Sequence, residues 1–363
     1  MKPHGPHVLF LVASLSTLPS LSRADTIHRI DGGTIDGVEV LEESLSLVVY
    51  KAGNQQRDIP ADQVLRVDFK SYPKQLEGAV ASVEEEDYLG ALDGFEEFVE
   101  SQIESPRERR KWAAPYAAWQ TVQLRMHLGD YAGVVRAASR VIDKFPSSRY
   151  VPEAYLAKAS AQVLQGEGPA AQATLNAFEA MIGDRSLSKR WELECQVAKI
   201  ETDTRQSPEA ARRALRDVER LASSYPLVAS RARVVQGESL LKEAEKSRGK
   251  ADELRAEARG VFEKVLASAA DDSTLAGAYA GIGECLFYSG AGKGNNKELL
   301  QAADNFLRVI VLYEGESRYV QKSLFYAMRS FDLMQDRRRQ RDMRNELESL
   351  YPGSYWAEQA KNF

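Results

Sequence analysis

The chain has 363 residues, of which 44% are hydrophobic and 28% are charged, as in an ordinary soluble protein. It carries 48 basic and 53 acidic residues, which gives a formal charge of −5. Nucleic acids and anionic membranes require a concentrated basic face, so this mildly acidic balance argues against both as main partners.

The first 24 residues have the pattern of an export signal. Lys2 stands near the start, an apolar core interrupted by serines covers residues 8–21, and the sequence SRA at 22–24 is a small-x-small cleavage site. The apolar stretch contains Pro19 and is too short and too broken to be a membrane anchor. We therefore expect cleavage after residue 24, a periplasmic or extracellular location, and no integral membrane segment in the mature chain. Loss of Lys2 and Arg23 leaves 46 basic and 53 acidic residues, a formal charge of −7.

Residues 25–71 follow a period of two, which is typical of strands with one buried face. Apolar side chains recur at every second position around Leu47 and Val67, and turns are indicated at residues 31–33, 36–37 and 52–54. This pattern predicts a small all-β, barrel-like module of four or five strands. Because so small a segment buries little surface alone, we expect it to pack on the first helical unit that follows.

The module resembles the SH3-like and Sm-like small barrels of bacteria. In those folds one strand follows an Asp-Gly pair and reaches a further glycine, and a later strand ends in Ile-Pro before the final strand. The matching residues here are Asp31, Gly32, Gly37, Ile59 and Pro60.

From residue 72 onward the chain repeats with a period of roughly forty residues. Several units close in an aromatic-proline pair, at residues 145–146, 225–226 and 351–352, which is typical of a helix stop before a loop. A different turn, at residues 129–131, separates the two apolar-periodic stretches within one unit. Periods of this length indicate stacked helical hairpins, and the alignment favours about seven units.

These units resemble the tetratricopeptide repeat as found in bacterial envelope proteins. Around Gly283 the spacing Tyr-x2-Ile-Gly-x2-Leu places a small residue where two helices cross. The family's small residue of each second helix and its large apolar residue four positions later are matched by Ala91/Phe95, Ala171/Leu175, Ala214/Val218, Ala258/Phe262 and Ala302/Phe306. The resemblance covers residues 72–363 and implies a mainly α fold, an α-solenoid closed by a cap helix that carries Trp356, Ala360 and Phe363.

The resemblance also implies a function, because such solenoids serve as scaffolds that bind partner proteins or peptides in their concave groove. Aromatic side chains on the first helices, which line that groove in the family, are the candidate contacts. They are Tyr116, Trp119, Tyr155, Tyr279 and Tyr326, with Phe325 beside the last of them. Each could equally belong to the core, because a first helix also packs on its own second helix.

A basic cluster, Arg337, Arg338 and Arg339, is a further candidate contact for an acidic partner. We place it in the turn of the last unit, where basic residues also complement a helix C-terminus. A second hypothesis is an accessory module for cell-wall glycan or exported polysaccharide, in which Trp112, Tyr116 and Trp119 offer ring faces to sugars.

Catalytic motifs are absent from the mature sequence. His28 and His127 are its only histidines, and no His-x3-His pair, Cys-x2-Cys pair or Gly-x-Ser-x-Gly elbow occurs. We therefore expect no enzyme activity, no cofactor and no metal; an enzyme would need a site built from Asp, Glu and Arg alone.

Two further features favour structural interpretations. Cys195 and Cys285 fall in the fourth and sixth units, which makes a disulfide between them awkward because solenoid units touch only their neighbours. The glycine-rich residues 290–294 follow a helix rather than a strand, so we interpret them as a flexible linker and not as a phosphate loop. The sequence does not identify the partner or the oligomeric state.

Overall fold

The computed structural model describes residues 24–203, 207–247, 249–268 and 271–363. The predicted export signal lies outside these residues, apart from Ala24. Within the described ranges the chain forms a five-stranded sheet followed by fifteen helices, so the predicted mainly α fold with a small β module is confirmed.

The β module is an antiparallel sheet of strand order β4-β3-β2-β1-β5. A 3-10 turn, Ala61–Gln63, leads into the last strand. The strands are β1 (Asp25–Arg29), β2 (Thr34–Glu43), β3 (Leu47–Ala52), β4 (Gln55–Pro60) and β5 (Val64–Asp68). Among the described residues β4 and β5 are edge strands that are not paired with each other. The meander therefore curls without a closing ladder, and its resemblance to SH3-like or Sm-like barrels is not established.

The module shares a hydrophobic core with the first helices, and its specific contacts lie beyond the first hairpin. Its buried residues belong to one hydrophobic core with those of the first helices. The ring of Phe69 stacks on Trp112 with centroids 3.5 Å apart. A buried ion pair joins Glu43 at the end of β2 to Arg149, and Arg190 donates a hydrogen bond of 2.7 Å to the carbonyl of Asp62. The module is thus fixed to three different parts of the solenoid.

Seven consecutive helical hairpins follow within the described residues, as the repeat count predicts. The hairpins are α1 (Lys74–Glu84) with α2 (Tyr88–Glu104), α3 (Ala113–His127) with α4 (Tyr131–Lys144), α5 (Val151–Leu164) with α6 (Gly168–Asp184), α7 (Lys189–Thr202) with α8 (Pro208–Leu221), α9 (Pro226–Lys246) with α10 (Ala251–Ser268), α11 (Asp272–Lys293) with α12 (Asn296–Leu312), and α13 (Ser317–Leu333) with α14 (Arg337–Leu350). From α3 onward, the first helix of each hairpin also contacts the first helix of the next. This is the layering of a tetratricopeptide-type α-solenoid.

The predicted small-large pairs of the second helices are buried in four of five cases. Ala91/Phe95, Ala171/Leu175, Ala258/Phe262 and Ala302/Phe306 all lie in the core. In α8 the prediction was wrong by three residues: Ala214 is half-buried, and the buried pair one turn apart is Ala211 and Leu215. The sequence did not separate the two registers, because Ala211 and Ala214 are both small and each is followed by a large apolar residue four positions later.

Phe262 shows why small residues are needed between hairpins. Its ring on α10 lies between Gly237 of α9 and Gly281 of α11. A Cβ atom added to Gly237 would come within 2.5 Å of the ring, and one added to Gly281 within 2.3 Å. Glycine at both positions lets the two helices approach the phenylalanine from either side.

The glycine-rich segment that was predicted to be a linker is mostly helix. Gly290 and Gly292 lie in the last turns of α11, which continues to Lys293, and Gly294 caps the helix with φ +62°. The extra length of this unit is therefore taken up by a longer helix rather than by a loop. Among the described residues no helix is long and apolar enough to cross a membrane.

A short last helix, α15 (Tyr355–Lys361), covers the end of the solenoid. Ala357 and Ala360 are fully buried, and Trp356 packs against the rings of Phe325 and Tyr326 with centroids 5.1 and 5.7 Å apart. Phe363, which was predicted to share this face, is half exposed because it lies beyond the helix.

Candidate binding lumen

The first helices of the hairpins surround a cavity of about 480 Å³, which we call the lumen. Its lining residues lie on α3, α5, α7, α9, α11 and α13, on the loop before α13, at the N-cap of α11 and at Leu65 of strand β5. No second helix contributes a lining residue among those described. The concave surface of the solenoid is therefore the lumen wall, and the β module covers part of it.

The two ends of the solenoid contact each other, so helices surround the lumen, which remains open to solvent. Tyr88 donates a hydrogen bond of 3.2 Å to Glu314 across 226 positions of sequence. Tyr131 accepts a hydrogen bond from Gln321 and lies 3.4 Å from the hydroxyl of Ser317. We call this meeting of hairpins 1 and 2 with hairpins 6 and 7 the closure seam.

One glycine, Gly129, allows a close approach at the seam. Gly129 in the α3–α4 turn has φ +70°, and an added Cβ would lie 2.8 Å from the ring of Tyr351. Gly315 faces the ring of His127, which in turn contacts the ring of Tyr88 with centroids 4.2 Å apart. Burial lowers the pKa of His127, and the neighbouring Glu314 opposes this shift.

The lumen wall has an apolar part that suits a hydrophobic guest. Val122 and Met126 of α3, Leu156 of α5 and Leu227 of α9 line it, together with Trp119. Pockets that bind small molecules or side chains combine such surfaces with a few fixed polar groups, at volumes of about 300 to 1,000 Å³.

The polar part of the wall is a network of paired charges. Arg231 donates to Glu194 at 2.9 Å and contacts Glu201, while Arg318 pairs with Glu201 and, at 3.1 Å, with Glu238. Burial alone would raise the pKa of Glu201, but Arg318 and Arg231 outweigh it and hold the pKa at about 2. Glu201 is therefore ionised, and the two arginines already satisfy its carboxylate.

Two other carboxyl groups of the wall have no cationic hydrogen-bond partner in the described structure. Burial raises the pKa of Glu153, although Arg190 and Arg149 oppose the shift, and the Oε2 atom of Glu153 is buried without a hydrogen-bond partner. Burial also raises the pKa of Glu316, which the hydroxyl of Ser273 opposes. The lumen thus has acceptor capacity that its own arginines do not use.

Of the predicted contact residues, only Trp119 lines the lumen. It is partly exposed there, and its ring stacks on Tyr150 with centroids 5.9 Å apart. Tyr116 lies instead in the aromatic joint between the β module and the solenoid, with its hydroxyl 3.4 Å from that of Tyr72. Trp112 is buried in the same joint, stacked on Phe69, so it presents no ring face to a sugar.

The other predicted aromatics pack between neighbouring helices. Tyr155 stacks on Phe178, and Tyr279 stacks on Tyr313. Tyr326 is buried, with its hydroxyl 3.1 Å from that of Tyr288. Phe325, next to it in sequence, is also buried.

The arginine cluster lies at the start of a helix, not in the turn or at a helix C-terminus as predicted. Arg337, Arg338 and Arg339 are the first residues of α14, after the N-cap Asp336. All three side chains are exposed; Arg337 pairs with Asp332 at 2.6 Å, and Arg339 contacts Asp336. Aspartates, rather than the C-terminal carbonyls of a helix, offset these charges.

One histidine and both cysteines, for which the sequence favoured structural roles, lie in structural positions. His28 contacts Asp68 at 2.7 Å within the β module. Cys195 and Cys285 are buried free thiols, and burial raises their pKa values to about 11 and about 12. No group of three or more metal-ligating side chains occurs among the described residues.

Tyr88 and Tyr131 were not predicted as functional residues, although the sequence carries a signal for them. Each follows an aspartate that caps a second helix, so the pair Asp-Tyr occurs at the same place in the first and second hairpins. In the seventh hairpin the aspartate cap is followed by Arg337. Only the first two hairpins have a tyrosine at this position. These two hairpins form the end of the solenoid that contacts its other end.

No family model and no curated protein match the sequence. Similar solved structures include that of PilF from Pseudomonas aeruginosa, at 18% identity and a TM-score of 0.34, over 68% of this chain and 96% of that one. The apo form of RapI is similar at 11% identity and a TM-score of 0.38, over 79% of both chains.

A third similar structure is that of Naa15/Naa10 bound to HypK-THB, at 14% identity and a TM-score of 0.22. It matches 78% of this chain but only 54% of its own. Similarities of this size carry no information on partner or activity; the solenoid is defined by the order and contacts of this chain's own hairpins.

Proposed function

We propose that this protein is a non-catalytic scaffold that holds a short segment of a partner protein inside the lumen. The observation that supports the proposal is the lumen itself: a cavity of about 480 Å³ bounded by six first helices, with apolar walls and fixed charges. A cavity of this size suits a few side chains of an extended segment or a chain end, rather than a whole folded domain.

The location of this activity is part of the proposal. The apolar run at residues 8–21 and the small-x-small site before Asp25 support export to the periplasm or beyond. Sequencing the N-terminus of the protein from its native cells tests this: a chain that begins at Asp25 is expected, and a chain that retains Lys2 contradicts export by a cleaved signal.

The role of the β module in this proposal is to close one side of the lumen. Leu65 of β5 lines the cavity, and the curled meander with its 3-10 turn before β5 supports a relation to SH3-like small barrels. We assign the module a structural role because its inner face is committed to contacts with the solenoid.

Site-specific photo-cross-linking tests the lumen as the binding site. A benzophenone amino acid at Gln123, which lines the lumen, is compared with the same residue at Leu300, which is exposed on α12 outside it. In native cells the Gln123 variant is expected to form a discrete protein adduct that the Leu300 variant does not form. Equal adducts at both positions, or adducts only at Leu300, would contradict binding in the lumen.

Competition by a glycan distinguishes the two hypotheses from the sequence analysis, a protein-binding scaffold and a glycan-binding module. Purified wall polymer that competes with the protein adduct at Gln123 would favour a glycan-binding module. With Trp112 buried, the structure offers sugars fewer ring faces than the sequence suggested.

A further inference from the structure

The sheet of the β module has two free edges within the described residues, and they differ in composition. Strand β4 forms one edge; five of its six residues are exposed, and it ends in Pro60, which has no N–H group to donate. Proline is one of the means by which proteins protect an exposed edge from pairing with another strand. Strand β5 forms the other edge and contains no proline. The edge of β5 therefore keeps all of its main-chain N–H groups.

A second cavity, of about 340 Å³, runs along the edge of β5. The residues that line it include four consecutive residues of the strand, Leu65, Arg66, Val67 and Asp68. Successive side chains of a strand point to opposite faces of the sheet, so a cavity on one face would touch only every second residue. Val67 lines the cavity although its side chain lies in the hydrophobic core. The cavity therefore lies against the main chain at the edge of the strand.

On the side of the cavity the main chain of β5 has no hydrogen-bond partner among the described residues. The strand pairs with β1 alone, and no side chain of the helices around the cavity bonds to its main chain. In an antiparallel ladder, alternate residues of an edge strand direct their N–H and C=O groups away from the neighbouring strand. An extended chain complements such an edge, because its own N–H and C=O groups have the same spacing.

Helix α3 supplies a further part of the cavity wall, at Tyr116, Trp119, Gln120 and Gln123. Leu65, Trp119 and Gln123 line both the second cavity and the lumen, so the two spaces are continuous. The strand rises about 3.3 Å per residue, so residues 65–68 offer an edge about 10 Å long. A segment of about four residues that pairs with this edge has one end at the lumen.

The charged groups around the second cavity are already engaged within the protein. Arg149 pairs with Glu43, and Arg66 pairs with Asp68 at 3.1 Å. Arg190 donates a hydrogen bond to a carbonyl group of the 3-10 turn before β5. No particular charge is therefore required of a guest in this cavity, and the free main chain of β5 is the group that remains to bind it.

We propose that an extended segment of the partner protein adds to the free edge of β5 as a sixth strand, with one end in the lumen. This inference rests on the proposed function, because it specifies how the segment in the lumen is bound. The inner face of the β module keeps its structural role, while its edge binds the guest. A single strand suits the site better than the sheet of a second copy, because helices α3 and α5 also bound the cavity.

Disulfide tethering tests the pairing with a peptide of known sequence. Gln120→Cys places a thiol in the second cavity but outside the lumen, and the full chain is coupled there to the blocked peptide Cys-Gly-Thr-Val-Thr-Val. Cys195 and Cys285 are buried, so the introduced thiol is the one that reacts. Two further peptides carry one N-methyl group each, on the first valine or on the threonine that follows it. The equilibrium of disulfide exchange with mercaptoethanol is measured for all three.

An added strand directs the N–H groups of alternate residues toward the edge that it pairs with. Methylation of one of the two adjacent residues is therefore expected to weaken the tethered complex about fivefold or more, and methylation of the other less than about twofold. The unmodified peptide should also slow hydrogen exchange of the amides of residues 65–68. The matched control is Gln301→Cys, at an exposed position of α12, where the three peptides should exchange equally.

The outcomes separate this inference from the proposed function. Equal weakening by both N-methyl groups, or by neither, overturns pairing with β5 and leaves the lumen as the site, which the adduct at Gln123 tests separately. An alternating effect without that adduct overturns the proposed function and, with it, the assignment of the edge to a partner. Dimerisation of the free chain that the tethered peptide abolishes, measured by light scattering, assigns the edge to a second copy and overturns the proposal. If Gln120→Cys melts at a much lower temperature, Gln123→Cys carries the peptide, with the same alternation expected.

Discussion

The interfaces between successive hairpins and the closure seam hold the same solenoid together by different means. Between hairpins, buried apolar side chains pack against small residues of neighbouring helices, as Phe262 does between Gly237 and Gly281. At the seam, tyrosine hydroxyls, a glutamine and a glutamate meet across 186 to 226 positions of sequence. The first kind of contact builds the curved stack, and the second joins the two ends of the stack.

The difference bears on the proposed function because the seam holds the two ends of the lumen wall together. Hydrogen bonds contribute about 1 kcal/mol net each, whereas the buried phenylalanines each contribute several kcal/mol. We therefore expect the seam to open more readily than the hairpin stack comes apart. Faster hydrogen exchange of the backbone amides of Tyr131 and Gln321 than of Phe262 would show that the seam is less stable than the hairpin interfaces.

The largest effect is expected at a hairpin interface. Phe262→Ala removes a fully buried ring between two helices and should lower the free energy of unfolding by about 3–5 kcal/mol, measured by chemical denaturation. Gly281→Ala should also destabilise the protein, although alanine is ordinarily the better helix former, because its Cβ would clash with the ring.

A double-mutant cycle separates these effects. In the Phe262→Ala background the clash is gone, so Gly281→Ala should become neutral or stabilising by up to about 1 kcal/mol. If Gly281→Ala costs the same in both backgrounds, the packing of Gly281 on Phe262 is not what requires glycine there.

The packing of the hairpins could be predicted from the sequence because the pattern that indicates it is local. Ala258 and Phe262 lie one turn apart on one helix, and this spacing alone indicates a buried face. In α8 the same reasoning failed, because Ala211 and Ala214 are both small and only the three-dimensional packing selects Ala211. Where two registers have similar local patterns, the sequence of one unit cannot choose between them.

The lumen and the seam could not be predicted in the same way. Glu153 is a glutamate in the first turn of a helix, a common position whose burial depends on Leu65, Arg149 and Arg190 from other elements. Closure depends on the small rotation between successive hairpins, summed over all seven, so no single unit encodes it. Most of the predicted aromatic contacts lie between helices and not at the lumen. The sequence could not show this, because it does not give the rotation of each first helix relative to the lumen.

The contact between the β module and the solenoid tests whether a buried polar contact behaves like the seam. Arg149 and Glu43 form an ion pair with side chains at most 5% exposed, and Tyr150 donates to Glu43 at 2.9 Å. Arg149→Met leaves a buried carboxylate without its cation, with only the hydroxyl of Tyr150 as a partner, and should cost about 3–5 kcal/mol, measured by denaturation.

A nearby exposed pair provides the matched control. Lys111 pairs with Glu42 at 2.8 Å with both side chains largely in solvent, so Lys111→Met should cost less than about 1 kcal/mol. Adding Glu43→Gln to Arg149→Met should recover part of the loss. Equal effects of Arg149→Met and Lys111→Met would mean that burial of the ion pair does not strengthen the joint.

A smaller effect is expected at the seam, where two equivalent turns can be compared. Gly129 and Gly166 both have positive φ in the turn of their hairpins, but only Gly129 lies against Tyr351. Alanine at either position should cost about 1–2 kcal/mol for its backbone conformation. Gly129→Ala should in addition force the seam apart, seen as a longer distance between spin labels at Leu89 and Leu312.

The label distance in Gly166→Ala should remain that of the wild type, because nothing lies within 4 Å of an added Cβ there. If both variants lengthen the distance, the strain of the turn and not the contact with Tyr351 governs closure. If neither does, Tyr351 can move aside and the seam does not depend on Gly129.

The smallest expected effect is the pH dependence of the seam through His127, which contacts the ring of Tyr88 and lies near Glu314. Because burial lowers its pKa in the folded protein, the unfolded chain binds the proton more readily, and stability should fall as pH decreases through 6.5, the ordinary value, toward the lowered pKa. Half-burial and the opposing Glu314 keep this loss below about 1 kcal/mol. Denaturation at pH 7.5 and 5.5 should show a smaller decrease in stability for His127→Gln than for the wild type. Identical decreases in the two proteins would show that groups other than His127 cause the acid sensitivity.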